Sequence, residues 1–223
     1  DAAGNPSLPV SVTVRVLHQP LTVSITSPAN GAILKGSEVD VEGSTSRELH
    51  VDVDVNGQPA TVQDGRFTAR VPLLEGPQTL RATARDAAGR TKESDPVSVR
   101  IDTLEPLITI AEPADGLVTE NDTVRVAGTV GDATGVTLLV QGTPVPVVGG
   151  QFSTEVSLAA EGETTVTIAA TDEAGNTITK TVKVTLDRTD PTLNIIAPTD
   201  GVVLSGVPVV VQGSVMDSTL TTV

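Results

Sequence analysis

The 223-residue chain has no cysteine, no tryptophan and no tyrosine, and only two phenylalanines, two histidines and one methionine. Without cysteine there is no disulfide scaffold, thiolate metal site, haem attachment or cysteine nucleophile. His18 and His50 are isolated in the sequence, so histidine-based catalysis has almost no material. Bases are scarce as well: 14 lysines and arginines face 28 acids, a formal net charge of −14. That balance works against electrostatic capture of nucleic acid or of an anionic membrane surface, and it suits divalent cations. No apolar run approaches the ~20 residues of a membrane helix, so direct membrane insertion is not expected.

What the chain does have is 20 glycines, 15 prolines and many valines and threonines, arranged in a repeat. Pro28, Pro113 and Pro198 recur at a spacing of 85 residues, as do Gly31, Gly116 and Gly201 and, further on, Gly43, Gly128 and Gly213. Gly65-Arg66-Phe67 matches Gly150-Gln151-Phe152, and Leu73 matches Leu158. A one-residue insertion then brings DAAGR at 86–90 against DEAGN at 172–176. A repeat of this length is one structural unit used again.

Within each unit the period is that of strands. Val39 and Val41 alternate with Asp40 and Glu42, and Val51, Val53 and Val55 with Asp52 and Asp54; successive side chains of an extended chain point to opposite faces. Asn56-Gly57 and Asp64-Gly65 supply tight hairpin turns, and Gln141-Gly142 and Gly149-Gly150 take their places in the second unit. Strands are expected near 21–27, 37–45, 50–55, 59–63, 66–73, 79–85 and 95–102, with the second unit offset by 85 or 86. Seven antiparallel strands with frequent turn signals make an all-β fold of tandem immunoglobulin-like sandwiches. Phe67 and Phe152, one per repeat, read as core plugs. The expected organisation is the last strand of a preceding domain at 1–19, domains at 20–104 and 105–190, and the first strands of a following one at 191–223.

The order P-x-(D/N)-G, V-x-G, V-N-G-x-x, D-G-x-F, L-x-E-G and A-x-D-x-A-G-(N/R) resembles the bacterial immunoglobulin-like repeats of large secreted and cell-surface proteins, among them those of the glucodextranase B-domain type. The resemblance implies an exported bacterial protein, extracellular or at the cell surface, with no catalytic residues. The function expected is a non-catalytic spacer or stalk of an exported bacterial surface protein, with an adhesive role of its own left open. The alternatives are a carbohydrate-binding accessory module of a secreted polysaccharide enzyme and a strand-exchanged extracellular fibre subunit. The partners expected are neighbouring immunoglobulin-like domains of the same or another chain, and a cell-surface or glycan ligand.

Calcium is the one cofactor the residues suggest. Asp52-Val53-Asp54-Val55-Asn56-Gly57 has the opening of a calcium loop, but Gln63 stands where the closing carboxylate belongs, and valine at every second place makes a strand entering a hairpin. Asp86 and Asp172 end strands and read as turn-formers, with metal ligation as the alternative. The repeated junctions Asp102-Thr103-Leu104-Glu105-Pro106 and Asp187-Arg188-Thr189-Asp190-Pro191 are better placed. The ligands expected there are Asp102 and Glu105 in one and Asp187 and Asp190 in the next, helped by carbonyls and by Asp115 or Asp200, with the weak affinity of extracellular modules. The favoured reading is nevertheless the plain one, that these acids cap strand ends and keep the linker soluble while proline stiffens it, with calcium ligation as the alternative.

Overall fold

Alternation of apolar and polar residues sets the strands. The computed structural model describes residues 3, 11–13, 20–47, 50–206 and 208–217. Along Glu38–Thr45 the pattern is strict: Val39, Val41, Gly43 and Thr45 are buried, while Glu38, Asp40, Glu42 and Ser44 face outward. All regular elements among the described residues are strands, and none is a helix long and apolar enough to cross a membrane. The fold is all-β. The chain forms two compact units, residues 1–101 and 102–223.

The first unit contains β1 (Val23–Ser27), β2 (Ala32–Leu34), β3 (Glu38–Thr45), β4 (Asp52–Val55), β5 (Gln58–Pro59) and β6 (Thr61–Gln63). It continues with β7 (Arg66–Pro72), β8 (Gly76–Leu80), β9 (Ala82–Arg85), β10 (Thr91–Glu93) and β11 (Val97–Ile101). One sheet has the order β1-β3-β7-β6; the opposing layer is split into β10-β9-β4-β5 and β2-β11-β8. The split lies at Arg81, between β8 and β9. There the Asn56 side chain accepts a hydrogen bond from Arg81 N at 2.9 Å and donates one to the Thr79 carbonyl at 2.8 Å.

The second unit begins with β12 (Leu107–Glu112), β13 (Leu117–Thr119), β14 (Thr123–Gly131), β15 (Val136–Val140) and β16 (Thr143–Val145), and continues with β17 (Gln151–Ser157), β18 (Gly162–Asp172) and β19 (Thr177–Leu186). Its sheets are β12-β14-β17 and β13-β19-β18-β15-β16. Here the long β18–β19 pair runs without a break. After it, β20 (Thr192–Ala197) pairs with β21 (Gln212–Met216). The register repeats in detail: a bulge interrupts the first ladder between Ile25 and Ser27, between Ile110 and Glu112, and between Ile195 and Ala197. The peptide bonds before Pro28, Pro113 and Pro198 are all cis.

The expected hairpins are present. Asn56-Gly57, Asp64-Gly65, Gln141-Gly142 and Gly149-Gly150 all have positive φ at both residues, the backbone of the two-residue turn that matches sheet twist. The expected strands pair antiparallel, and two short strands that were not expected, β2 and β13, lie parallel to β11 and β19. The expected strand carrying Val14 and Val16 lies outside the described residues, as does His18.

Both cores are built from Val, Ile, Leu and Ala around a single aromatic ring, Phe67 in one and Phe152 in the other, at 1% and 4% exposure. Phe67 sits opposite Gly43, and Phe152 opposite Gly128. A side chain at Gly43 would collide with the ring and with the carbonyl of the neighbouring strand, and one at Gly128 would collide with that carbonyl and press tightly on the ring. The glycines are therefore explained by packing, since their backbone conformations are ordinary strand.

Candidate metal centre

Three aspartates of the second unit converge. Asp102 opens the unit, Asp132 follows β14, and Asp172 is the last residue of β18. One carboxylate oxygen from each lies within 4.8 Å of the other two. Asp102 and Asp172 are buried and Asp132 is half-buried.

Each carboxylate is oriented by local hydrogen bonds. Asp132 makes an Asx turn, accepting Thr134 N at 3.0 Å on Oδ1. Asp172 Oδ1 accepts Asn176 N at 2.8 Å, and Oδ2 accepts Asn176 Nδ2 at 2.8 Å. The same Nδ2 donates to the Asp102 carbonyl at 2.9 Å, which ties the first residue of the unit to the turn after β18. Leu104 N approaches Asp102 Oδ1 at 3.4 Å. The Thr134 hydroxyl lies 3.0 Å from Asp102 Oδ2 and 3.2 Å from Asp132 Oδ1. It has one proton for two carboxylates.

Charge is the unbalanced quantity. Burial pushes the Asp172 carboxyl up, but the hydrogen bonds from Asn176, with the amides of Gly175 and Ala174, together outweigh it and hold the group below the usual aspartate value. Among the described residues no lysine or arginine forms an ion pair with Asp102, Asp132 or Asp172. Carboxylates this close repel strongly when ionised in a partly desolvated setting, and amide donors do not neutralise them. Oxygen donors of this kind suit a hard divalent cation such as calcium, with carbonyls and water completing six to eight ligands. The Thr134 hydroxyl is the group most like a nucleophile here, and its partners among the described residues are carboxylates, with no histidine or lysine to activate it.

Of the residues expected as junction ligands, Asp102 alone enters this group, and it is joined by Asp172, which was singled out as a turn-former. Glu105 and Asp190 are exposed, and Asp187 is half-buried and accepts Thr189 N at 3.1 Å. Asp115 accepts Lys183 N at 2.8 Å, and Asp200 is exposed. The DEAGN turn holds Asp172 as expected, and it also delivers that carboxylate to Asp102 and Asp132. Asp132 was not singled out by sequence reasoning. A signal existed in the repeat: Arg47, Asp132 and Asp217 share one repeat position, so the charge there reverses between units. The calcium-loop lookalike is a strand and hairpin, with Asp54 Oδ1 accepting Gly57 N at 3.1 Å.

Comparison with known proteins places this geometry in context. Bacillopeptidase F of Bacillus subtilis (strain 168) is 30% identical over 178 residues, covering 78% of this chain and 12% of that protein. The chain thus spans about an eighth of the length of this relative. Fibronectin(III)-like modules of Clostridium thermocellum CbhA are 20% identical, with a TM-score of 0.42 over 74% of this chain and 94% of theirs. Titin domains I67–I69 are 11% identical, with a TM-score of 0.49 over 78% of this chain and 70% of that one. The family described as "Glucodextranase, domain B" matches residues 21–102 and again 106–188, one match for each repeat, and the chain belongs to that family of immunoglobulin-like domains.

Proposed function

We propose that this chain is a non-catalytic run of immunoglobulin-like domains acting as a spacer in an exported bacterial protein, and that its second unit takes up calcium at Asp102, Asp132 and Asp172. The observation that carries the cation reading is the convergence of three carboxylates with no cationic side chain among them. The spacer reading is supported by the strand-only fold and by membership of a domain family that recurs twice in one chain. A sugar-stacking surface finds no support: the chain has no tryptophan or tyrosine, and both phenylalanines are buried.

Calorimetric titration of the whole chain with calcium tests the cation reading. The expected dissociation constant is on the order of 10⁻⁴–10⁻³ M, the range of extracellular modules. Asp132→Asn is expected to weaken binding at least about tenfold, a loss of ~1.4 kcal/mol. Neither heat nor stabilisation at about 10 mM calcium, well above that range, would refute it.

A further inference from the structure

The two units carry the same turn with opposite charge around it. In the first, the Asp86 side chain is wholly buried, and Arg90 Nε sits 2.5 Å from its Oδ2. Its Oδ1 accepts Ala88 N and Arg90 N, both at 2.9 Å. In the second, Asp172 keeps the equivalent bond from the amide four residues on, but the side chain at that position is Asn176, a donor without charge. The equivalent carboxylate therefore ligates a cation in one unit and only an amide in the other.

Two more exchanges accompany this one. Arg47 stands at the repeat position of Asp132, and Leu17 at that of Asp102. At these positions the first unit has one carboxylate and two guanidinium groups, where the second has three carboxylates and an amide. The following repeat keeps acids at both matching places, Asp187 and Asp217. The wider composition runs the same way: residues 21–101 have eleven acids against nine bases, and residues 102–188 have thirteen against four. Loss of an internal cation and gain of two acids are changes in one direction, and both leave room for positive charge from solution.

We infer that this turn is one site with two means of neutralisation. Arg90 supplies the cation from within the first unit, whereas the second must take a divalent cation from solution, so calcium governs the stability of the second unit alone. The inference rests on the calcium reading above and adds to it which unit responds and which residue decides. Asn176 is the positioning residue: it holds Asp172 and the Asp102 carbonyl and leaves the charge to the ion.

The test is Asn176→Arg in the full chain, with calcium as the probe and hydrogen exchange read separately on strands of each unit. In the parent chain, calcium is expected to raise protection of β14 and β18 and to leave β3 and β7 unchanged. In N176R, calcium affinity is expected to fall at least about tenfold, while protection of the second unit without calcium equals or exceeds that of the parent. N176Q, which brings no charge but moves the amide away from Asp172, is expected to lose less calcium affinity than N176R. If N176R does not fold, D132R places the charge of Arg47 in the site and is read the same way. Unchanged calcium affinity in the arginine variant overturns the inference, as does equal stabilisation of both units. If the parent chain binds no calcium, the reading of the site fails, and the inference is then judged by protection without calcium: a gain in N176R supports the need for a cation, and no gain overturns it.

Discussion

The two cores share a notch filled by an aromatic ring, but they fill it differently, and this yields a quantitative comparison. A Cβ at Gly43 would lie 2.1 Å from Phe67 Cζ and 2.3 Å from both Phe67 Cε1 and the Ser24 carbonyl oxygen. At Gly128 the ring is farther, 3.0 Å at Phe152 Cζ, and the Thr109 carbonyl oxygen is the severe contact at 2.1 Å. Overpacking costs about 1–3 kcal/mol, more where backbone must move. Both Gly43→Ala and Gly128→Ala are therefore expected to lower protection in their own unit by roughly tenfold to a few hundredfold. The distinction lies in coupling to the ring. Truncating a buried phenylalanine to alanine costs about 3–5 kcal/mol, enough to unfold a small domain, so leucine is the better second change. In the first unit, Phe67→Leu removes the outer ring atoms that the new methyl would strike, so G43A and F67L together are expected to cost about 1 kcal/mol less than their sum. A backbone oxygen remains in the way in both units, but in the second the ring contact is mild from the start, at 3.0–3.1 Å, so G128A with F152L is expected to be additive within ~0.5 kcal/mol. Hydrogen exchange on β3 and β7, and on β14 and β17, reads each cycle with the other unit as internal control. Equal coupling in the two units, or a G43A cost below about 0.5 kcal/mol, would refute the packing argument.

Three further outcomes follow from single contacts. Burial raises the pKa of Asp86, but the side-chain and backbone hydrogen bonds and the charge of Arg90, with the Ala88 amide, outweigh it, so its folded value lies below that of an ordinary aspartate. A depressed value means that its stabilisation is complete above the unfolded aspartate pKa of ~3.9 and is lost as pH falls through the folded value; Arg90→Ala is expected to move the acid unfolding of the first unit to higher pH, followed by carboxyl NMR and exchange, and an unmoved midpoint would sink the idea. Asn56→Ala removes both hydrogen bonds to the Thr79–Arg81 break and is expected to cost about 1–2 kcal/mol, with β9 exchanging faster. Glu38→Gln, by contrast, loosens an exposed pair with Arg70, whose side chains are 58% and 67% exposed, and a cost above ~1 kcal/mol would contradict the expectation for a surface ion pair.

The fold was legible because its signals are local. Alternation around Val39 and Val41, the paired turn residues at Asn56-Gly57 and Asp64-Gly65, and one phenylalanine per repeat each follow from a few neighbouring residues, and the strands and turns stand where those residues put them. The parallel strands Ala32–Leu34 and Leu117–Thr119 were not legible: three residues are too few to show a period, and their pairing partners lie nearly 70 residues away. The acidic group failed to show for a related reason. Sequence neighbours such as Asp102 and Glu105 suggested themselves as co-ligands, yet the structure leaves Glu105 exposed and joins Asp102 to carboxylates 30 and 70 residues away. Strand ends gather where the sheet topology brings them, and adjacency along the chain says little about that. The exchange of Arg47 for Asp132 and of Arg90 for Asn176 was visible in the repeat, but its meaning depends on knowing that the two positions converge.

The central claim is that Asp102, Asp132 and Asp172 form a calcium site belonging to the second unit. Amide NMR of the full chain during calcium titration tests it most directly, because every residue reports separately. The account predicts saturable shifts at Asp102, Asp132, Thr134, Asp172 and Asn176, with a midpoint on the order of 10⁻⁴–10⁻³ M and no shift at Asp86 or Arg90. Shifts spread over exposed acids such as Glu105, Glu155 and Asp190 without saturation, or equal shifts around Asp86, would contradict it.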